Sequence, residues 1–413
     1  MAQKLQSIRG THDLYGEDLR RHRHIADVAR DLAGRYLFEE IRTPIFEHTE
    51  VFARSMGETS DVVSKEMYSF VDKGGDQVTL RPEGTAGVCR SVIENGMAQQ
   101  APLKFFYYGP MFRYERPQKG RQRQFHQIGC ELIGVDTPQA DIEVISLGAR
   151  ILDSLGVLRR SVLEINTLGD AESRTAYREA LVKYFGGHSA KLSADSQARL
   201  AKNPLRILDS KDEGDRALVA NAPIFGDFMN AASRDFFAQV QQGLADMNIP
   251  FKVNQRLVRG LDYYCHTAFE FVTNDLGAQG TVMAGGRYDG LIENLGGPKL
   301  AGIGWGAGVE RLAMMLEYLP LAPRPVAIVP VSEAEHRFAQ TLADELRRAG
   351  IIIDLAYSGN VGKRMKRAAA LNARAAIVIG ESEIQSGQAK VRNMDTGDES
   401  AVAFNQMAQA LRG

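Results

Sequence analysis

The chain has 413 residues, and its 44% hydrophobic and 24% charged content is typical of a globular protein, which excludes a disordered or fibrous class. The length predicts two or three domains. The formal net charge of −1 excludes nucleic-acid binding by bulk attraction, so any anion site must be a local patch. Cys89, Cys130 and Cys265 lack the CxxC spacing of a zinc site, and no apolar run approaches the roughly 18 residues of a membrane span, so we expect a cytoplasmic protein without a membrane partner.

The N-terminal part predicts one helix followed by short strands. Apolar residues at helical spacing over 25–36 predict an amphipathic helix. Residues 40–45 predict a short extended segment, whose Pro44 suits the edge of a sheet or of a subunit interface. Residues 67–71 and 77–80 predict two strands joined by a turn.

Residues 81–85, with the sequence RPEGT, place the carboxylate of Glu83 between a proline and a glycine directly after a strand. An acid held rigidly in this way can meet a cation such as an amino group. The alternative is the start of a helix over 86–95, with Thr85 as its cap. The residues alone leave both interpretations open.

The densest cluster of charge lies in residues 112–134. Apolar runs at 103–111 and 125–133 predict two buried strands of a hairpin. Its tip carries five cations within eleven residues: Arg113, Arg116, Lys119, Arg121 and Arg123. Because like charges repel one another, such a tip indicates a polyphosphate site with nucleic acid at its apex. The alternative is a solvated basic hairpin.

The middle of the chain predicts a helix at 141–155, a strand at 161–166 and a polar, mostly helical insertion at 170–250. The next segment with candidate site residues is 255–271. There the segment RGLDYY, residues 259–264, places one cation and two phenols around a glycine. The alternative for this stretch is a bulged strand with partly buried tyrosines.

Residues 302–308 alternate glycine with larger residues, which in a strand puts the glycines on one face. A flat group must therefore approach the backbone closely there. The helix that follows has Arg311 in its first turn. A proline-rich segment at 320–325 then predicts a domain boundary, and the apolar runs beyond it predict buried parallel strands in βαβ units.

With these features, the chain resembles the class II aminoacyl-tRNA synthetases, and among them the histidyl-tRNA synthetase family. Residues 40–44 match motif 1 of the class, residues 113–115 match the Arg-x-Glu of motif 2, and residues 302–311 match the glycine-rich motif 3. The histidine-specific matches are residues 259–264 and 284–288.

The resemblance implies an α+β catalytic core with a mainly antiparallel sheet, formed by residues 1–169 and 251–319. It also implies a helical insertion at 170–250, a linker at 320–325 and a C-terminal α/β anticodon-binding domain at 326–413. A homodimer that associates through motif 1 is expected.

The implied activity is the ligation of L-histidine to tRNA(His). Histidine and ATP would give histidyl-adenylate and pyrophosphate, and the histidyl group would then pass to the 3′ end of the tRNA. ATP is thus a substrate that brings Mg²⁺, and no dedicated protein metal site is expected. The alternative is a non-catalytic, synthetase-like regulatory subunit of histidine biosynthesis. The retained Arg113, Glu115, Arg259 and Arg311 favour the enzyme.

The resemblance also assigns roles to individual residues. Arg259 and Arg113 would be the catalytic cations at the α-phosphate. The residues implied to bind ATP are Arg113, Glu115, Arg121, Phe125 and Arg311. Those implied to bind histidine are Glu83, Gly84, Thr85, Arg113, Gln127, Glu131, Arg259, Tyr263 and Tyr264. The acceptor end of the tRNA would meet Arg116, Gln118 and Lys119.

Overall fold

A computed structural model describes the chain except for residues 1–3, 58, 59, 61, 209, 211, 259–262, 278, 279 and 413. The chain divides into two compact units, Met1–Leu319 and Pro320–Gly413. No helix within the described ranges is both long and apolar enough to cross a lipid bilayer.

A large, mainly antiparallel sheet forms the middle of the first unit, as predicted. The strands of this unit are β1 (Glu39–Glu40), β2 (Phe46–His48), β3 (Tyr68–Val71), β4 (Gln77–Leu80), β5 (Leu103–Phe112), β6 (Gln124–Ile133), β7 (Val162–Thr167), β8 (Phe251–Val253), β9 (Cys265–Val272), β10 (Thr281–Arg287) and β11 (Gly302–Gly308). The strand order of the large sheet is β1-β5-β6-β11-β10-β9-β7-β8, and only its outermost pairs, β1–β5 and β7–β8, are parallel. A smaller sheet has the order β2-β4-β3.

Helices cover both faces of the large sheet. The helices of the first unit are α1 (Gly16–Arg35), α2 (Thr49–Met56), α3 (Thr85–Glu94), α4 (Pro138–Ser154), α5 (Ala171–Gly186), α6 (Ala194–Lys202), α7 (Glu213–Val219), α8 (Ala231–Asp246), α9 (Leu291–Asn294) and α10 (Val309–Met315). Helices α1, α4, α8 and α10 bury one face of the sheet, and α2, α3 and α9 pack on the other.

Strand β6 shows how the two faces arise from a residue period of two. Ile128, Cys130 and Leu132 are buried against the layer of α1 and α4. Phe125 packs into the cluster on the opposite face. The predicted hairpin is therefore confirmed, with ten residues in each strand.

Motif 1 differs from the sequence prediction. Strand β1 ends at Glu40 and β2 begins at Phe46, so Pro44 lies in an irregular connection and not within a strand. Proline cannot donate a ladder hydrogen bond, which accounts for the break. The buried guanidinium of Arg81 stabilises this connection, because its Nη1 donates to the carbonyl oxygen of Thr43 at 2.9 Å.

The helical stretch between β7 and β8 has its own small apolar core, which includes Tyr177, Leu181 and Phe185 of α5. In the same stretch, Asp215 of α7 has no exposed surface. Its carboxylate accepts hydrogen bonds from the Ser193 amide and from the hydroxyls of Ser193, Ser196 and Ser210, at 2.6–2.9 Å. Asp215 therefore ties together the ends of several short helices.

The second unit is an α/β domain, which confirms the predicted C-terminal fold class. Its elements are β12 (Val326–Pro330), α11 (His336–Arg348), β13 (Ile353–Leu355), α12 (Val361–Ala370), β14 (Ala375–Ile379), α13 (Glu381–Ser386), β15 (Gln388–Asn393), β16 (Glu399–Ala403) and α14 (Met407–Ala410). The sheet order is β13-β12-β14-β15-β16. The three apolar strands are parallel as predicted, and β15 and β16 add an antiparallel pair that the sequence prediction missed because their residues are largely polar.

Candidate active site

A cavity of about 250 Å³ lies on the glycine-bearing face of the large sheet. Its walls come from β5, β6, β10, β11, the hairpin tip and the starts of α3 and α10. Ten of the predicted site residues line it: Glu83, Thr85, Arg113, Glu115, Arg121, Phe125, Gln127, Tyr263, Tyr264 and Arg311. The fold therefore brings together residues that are nearly 230 positions apart in the chain, from Glu83 to Arg311.

Glu83 resolves the two alternatives left open for the RPEGT segment. Its carboxylate accepts hydrogen bonds from the backbone amides of Thr85 and Ala86, at 2.7 and 2.8 Å. Glu83 thus caps the start of α3, and the expectation that Thr85 would be the cap is wrong. Burial raises the pKa of Glu83, and the amide hydrogen bonds partly offset this effect. Because Glu83 also lines the cavity, these hydrogen bonds hold its carboxylate at the cavity wall.

Glu131 lies below the cavity wall and has no exposed surface. Its Oε1 accepts from the hydroxyls of Thr85 at 2.7 Å and Tyr107 at 3.4 Å, and its Oε2 accepts from the hydroxyl of Tyr288 at 2.5 Å. Burial raises the pKa of Glu131 to about 8, although the Tyr288 and Thr85 hydrogen bonds act against that rise. Glu131 therefore reaches the cavity through Thr85 and Tyr107, which both line it.

The glycines at the start of strand β11 are covered by side chains of the protein, whereas those at its end face the cavity. A Cβ atom on Gly304 would lie 1.9 Å from the Glu131 carboxylate, and one on Gly302 would lie 2.2 Å from the Tyr288 ring. Gly306 and Gly308 line the cavity, and the nearest atoms to their added Cβ atoms are at 3.5 and 3.9 Å. Tyr288 thus approaches the backbone closely at Gly302, whereas the approach of a bound nucleotide to Gly306 and Gly308 stays a prediction.

Two arginines and one carboxylate form the cationic side of the cavity. Arg121 Nε lies 2.5 Å from Glu115 Oε2, and Arg113 Nη1 lies 3.9 Å from Glu115 Oε1. The Nε of Arg113 donates to the carbonyl oxygen of Pro82 at 2.9 Å, which fixes its guanidinium beside Glu83. An anion that binds Arg121 must therefore compete with Glu115, or share the arginine with it.

Phe125, one of the residues implied to bind ATP, faces a protein cation. The guanidinium carbon of Arg113 lies 5.5 Å from the centroid of the Phe125 ring, within range of a cation–π contact. Arg311 donates from Nη1 to the carbonyl oxygen of Thr281 at 2.6 Å and from Nε to that of Gly120 at 3.3 Å. These bonds tie α10 to β10 and to the hairpin tip.

The two predicted tyrosines are both buried beside the cavity, with ring centroids 4.5 Å apart. The ring of Tyr288 meets that of Tyr263 edge-on at 5.9 Å, so a cluster of three phenols adjoins the Glu131 carboxylate. Arg259 and the rest of residues 259–262 lie outside the described residues.

The remaining predicted residues lie away from the cavity lining. Gly84 is buried, and a Cβ atom there would lie 2.4 Å from the Tyr107 ring. Gly84 therefore lets the Tyr107 ring pack against the backbone, and it offers no side chain to a ligand. Arg116, Gln118 and Lys119 are exposed at the hairpin tip. Their predicted role in binding the acceptor end of the tRNA stays a prediction.

Two groups of site residues were missed by the sequence interpretation. Tyr107 and Tyr288 hold Glu131; the signal for Tyr288 was its place in the histidine-specific segment, whereas Tyr107 looked like any aromatic strand residue. The second group is His22, His126 and Glu310, whose ligand atoms all lie within 4.8 Å of one another. The sequence offered no metal motif because these residues come from distant parts of the chain.

Comparisons with known proteins show which family the chain belongs to. A family model described as histidyl-tRNA synthetase matches residues 10–312, and one described as an anticodon binding domain matches residues 325–413. The histidine–tRNA ligase of Rhodospirillum rubrum is 57% identical over 408 residues, which cover 98% of each chain. That of Gluconacetobacter diazotrophicus is 55% identical and covers 99% of each chain.

Among solved structures, the histidyl-tRNA synthetase of S. aureus without ligand is 38% identical, with a TM-score of 0.84 over 99% of this chain and 100% of that one. The similarity in sequence and structure thus extends over the catalytic core, the helical insertion and the C-terminal unit. This chain belongs to the histidyl-tRNA synthetase family.

Proposed function

We propose that the chain is a histidine–tRNA ligase that works in two steps. The carboxylate of L-histidine attacks the α-phosphorus of ATP, so that a mixed anhydride forms and pyrophosphate leaves. The 3′-hydroxyl of the terminal adenosine of tRNA(His) then attacks the activated carbonyl carbon, and AMP leaves. The enzyme would act in the cytoplasm, where its tRNA substrate is found.

The observation that carries this proposal is the concentration of fixed cations in one cavity. The first step brings two anions together and builds negative charge on the equatorial oxygens of the phosphorus, so preorganised cations lower its barrier. Arg113 has its guanidinium fixed by Pro82, and Arg311 has its guanidinium fixed by Thr281 and Gly120. We assign Arg113 to the α-phosphate, and Arg121 and Arg311 to the β- and γ-phosphates.

The adenine base would lie on Phe125, with its exocyclic amine near Glu115. Because Arg113 now faces Phe125, ATP binding would draw this guanidinium toward the phosphate and expose the ring. The ion pair of Arg121 with Glu115 would likewise open or be shared. Mg²⁺ would arrive with ATP and keep several of its waters.

The directions of the hydrogen bonds among the side chains at the cavity indicate which groups can bind histidine. The Thr85 hydroxyl donates to Glu131, so its oxygen still has a lone pair for a substrate ammonium. Glu83, held by two backbone amides, supplies the negative charge for that ammonium, and Gln127 supplies an amide oxygen. We assign the imidazole to Tyr264, Tyr263 and the Glu131 network.

The other partners follow from the family and from exposed surfaces. We propose that the hairpin tip at Arg116, Gln118 and Lys119 meets the acceptor end of the tRNA, and that the C-terminal unit binds the anticodon. A homodimer through motif 1 is supported by the exposed apolar side chains of Ile45 and Phe46, which directly follow motif 1 and are 45% and 59% exposed. Such side chains beside a sheet edge suit a subunit interface.

The regulatory-subunit alternative is not favoured. The curated relatives that match this chain from end to end carry the name of the ligase, and the family match includes an anticodon binding domain. A sensor of free histidine has no use for such a domain.

The decisive experiment is pyrophosphate exchange with each of the twenty amino acids, followed by aminoacylation of tRNA(His). Exchange that depends on histidine alone, followed by charging of the tRNA, supports the proposal. Exchange with another amino acid would contradict the assigned substrate, and histidine binding without any exchange would favour the regulatory subunit.

The role of Arg259 is tested separately, because residues 259–262 lie outside the described structure. By family resemblance, Arg259 contacts the α-phosphate opposite Arg113. Loss of a preorganised electrostatic donor costs on the order of 10²–10³ in rate, so Arg259→Ala should lose that much pyrophosphate exchange while its thermal unfolding stays that of the wild type. Exchange within a few-fold of wild type would refute the assignment.

A further inference from the structure

Behind the nucleotide side of the cavity, three side chains from distant elements meet. His22 belongs to α1, His126 to β6 and Glu310 to the first turn of α10. His126 Nδ1 lies 3.0 Å from Glu310 Oε1, and the rings of His22 and His126 are nearly perpendicular, with centroids 5.1 Å apart. The ligand atoms of all three residues lie within 4.8 Å of one another.

We propose that His22, His126 and Glu310 form a binding site for a divalent transition-metal ion, with Zn²⁺ as the ion of choice. Two imidazoles and one carboxylate are a donor set that such ions prefer, whereas Mg²⁺ prefers oxygen ligands alone. Ligand atoms around a tetrahedral Zn²⁺ lie about 3.3 Å apart, since each is about 2.0–2.1 Å from the metal. His126 Nδ1 and Glu310 Oε1 already meet this spacing, and the most distant pair of ligand atoms must close by roughly 1.5 Å.

A second observation points to an absent partner. His22 is 3% exposed, and within the described part of the chain its Nδ1 atom is buried without a hydrogen-bond partner. A buried polar nitrogen without a partner costs free energy, and a metal ion that turns the ring or binds it would remove this cost.

The site also has an access route and candidates for a fourth ligand. A cavity of about 470 Å³ reaches His22 and Glu310, and His12 and Asp18 line the same cavity. Two cations, Arg21 and Lys119, line it as well. Arg21 is paired with Glu17 at 2.6 Å, so the lining sets two carboxylates, Asp18 and Glu310, against the ammonium of Lys119.

Existing hydrogen bonds hold His126 and Glu310 in place. Both carboxylate oxygens of Glu310 accept from the backbone amide of His126, at 2.9 and 3.0 Å. The Nδ1–H of His126 also donates to Oε1 at 3.0 Å, so Oε2 is the carboxylate oxygen with a lone pair available to a metal, and a metal at Nδ1 must replace that proton. Preorganisation of this kind reduces the cost of binding an ion.

The position of the site suggests its use, and this step rests on the proposed function. Phe125 precedes His126 in the chain, and Arg311 follows Glu310. An ion held by His126 and Glu310 would therefore brace the backbone on both sides of the predicted ATP site, and would tie α1 to it. Zn²⁺ should raise the melting temperature of the protein because it binds the folded state.

The test is a titration of the full-length, tag-free, chelator-treated protein with Zn²⁺ in competition with a chromophoric chelator. We expect one ion per chain with a Kd below about 10 µM. His22→Asn and Glu310→Gln should each weaken binding by at least about 100-fold, since each removes a direct ligand. His24→Asn, on the same helix but outside the cluster, is the matched control and should bind as the wild type does.

Co²⁺ provides a second measurement that does not depend on the variants. Its ligand-field absorption should report nitrogen and oxygen ligands in the wild type and should be displaced by Zn²⁺ but not by Mg²⁺. A wild-type Kd weaker than about 10 µM, or equal affinity in wild type and Glu310→Gln, overturns the proposal. Pyrophosphate exchange on the same samples separates the metal site from the proposed ligase activity. Histidine-dependent exchange in a protein that does not bind Zn²⁺ would refute the metal site and leave the proposed activity standing.

Discussion

Two carboxyl groups without exposed surface, Glu131 in the catalytic core and Asp215 in the helical insertion, have pKa values shifted in opposite directions. Burial raises the pKa of Glu131 to about 8 despite the hydroxyls of Tyr288 and Thr85. Burial also opposes ionisation of Asp215, but hydrogen bonds from serines outweigh that effect and lower its pKa to about 2. Absence of exposed surface therefore does not by itself decide the charge of a carboxyl group.

The difference lies in the surroundings of the two groups. Glu131 is deep in the sheet domain, and the nearby Glu83 carboxylate disfavours a second negative charge. Asp215 lies in a small module and receives four hydrogen bonds, one of them from a backbone amide. A carboxyl group that is stabilised this fully is structural, whereas one held near a neutral pKa beside a cavity is typical of a functional site.

The largest expected effect is that of Glu131→Ala, because it leaves three hydroxyls of the wall without their acceptor. We expect kcat/KM for histidine to fall by about 10²–10³, with the KM for ATP within about three-fold of wild type. Pyrophosphate exchange with either substrate varied measures both values. Asp215→Ala is the control and should leave kcat/KM for histidine and the KM for ATP unchanged. Equal losses for histidine and ATP would show that Glu131 has no specific role toward histidine.

Asp215→Ala should show the reverse pattern, with a loss of stability and little loss of activity. The serine hydroxyls and the Ser193 amide lose a charged acceptor, which we expect to cost the insertion about 3 kcal/mol. Hydrogen exchange of the amides in α5, α6 and α7 should therefore become about 100-fold faster. Unchanged exchange in these helices would mean that Asp215 does not hold the module together.

The two carboxylates should also give opposite pH dependences of stability. The folded-state pKa of Asp215, about 2, is below its ordinary value of 3.8, so its stabilisation is present above pH 3.8 and is lost as the pH falls toward 2. The pKa of Glu131, about 8, is above its ordinary 4.5, so its contribution is full below pH 4.5 and is lost as the pH rises to 8. Differences in melting temperature between the wild type and Asp215→Asn or Glu131→Gln isolate each contribution. Parallel trends for the two variants would contradict the assigned pKa directions.

The smallest expected effect is that of Ser196→Ala, which removes one donor to Asp215 and leaves the others. A hydrogen bond to a charged group contributes about 1.5 kcal/mol or somewhat more to the free energy of unfolding. Hydrogen exchange of the backbone amides in α6 and α7 should therefore become about ten-fold faster. Ser189→Ala, at an exposed position of the same module, is the matched control. An effect as large as that of Asp215→Ala would mean that a single serine accounts for the whole cluster.

The sequence predicted those parts of the site that depend on local periodicity. Phe125, Gln127 and Glu131 fall on one face of β6 because side chains alternate along a strand, and the hairpin was evident from its apolar runs and its turn. The glycine alternation of β11 correctly indicated a close approach. That the approaching ring is Tyr288 required the pairing of β10 and β11, which no local pattern contains.

What the sequence could not predict depends on contacts between remote segments. The partners of Asp215 come from three separate places in a polar stretch that looked featureless. His126 and Glu310 are 184 positions apart and meet only because β6 and α10 pack together. The break at Pro44 was missed because a short extended run does not reveal where its ladder hydrogen bonds stop.

The alternation along β6 has a consequence for how this chain can change during evolution. One deleted or inserted residue within Gln124–Ile133 would turn the cavity-facing side chains beyond it into the helix layer, and would bring Ile128 and Cys130 to the substrate. The hairpin tip is less constrained, because its backbone pairing is an isolated bridge between Gln118 and Arg121, although Gly120 also accepts from Arg311. Length variation should therefore be tolerated best at Arg116 and Pro117, outside that bridge, and eliminated from the strand beside it.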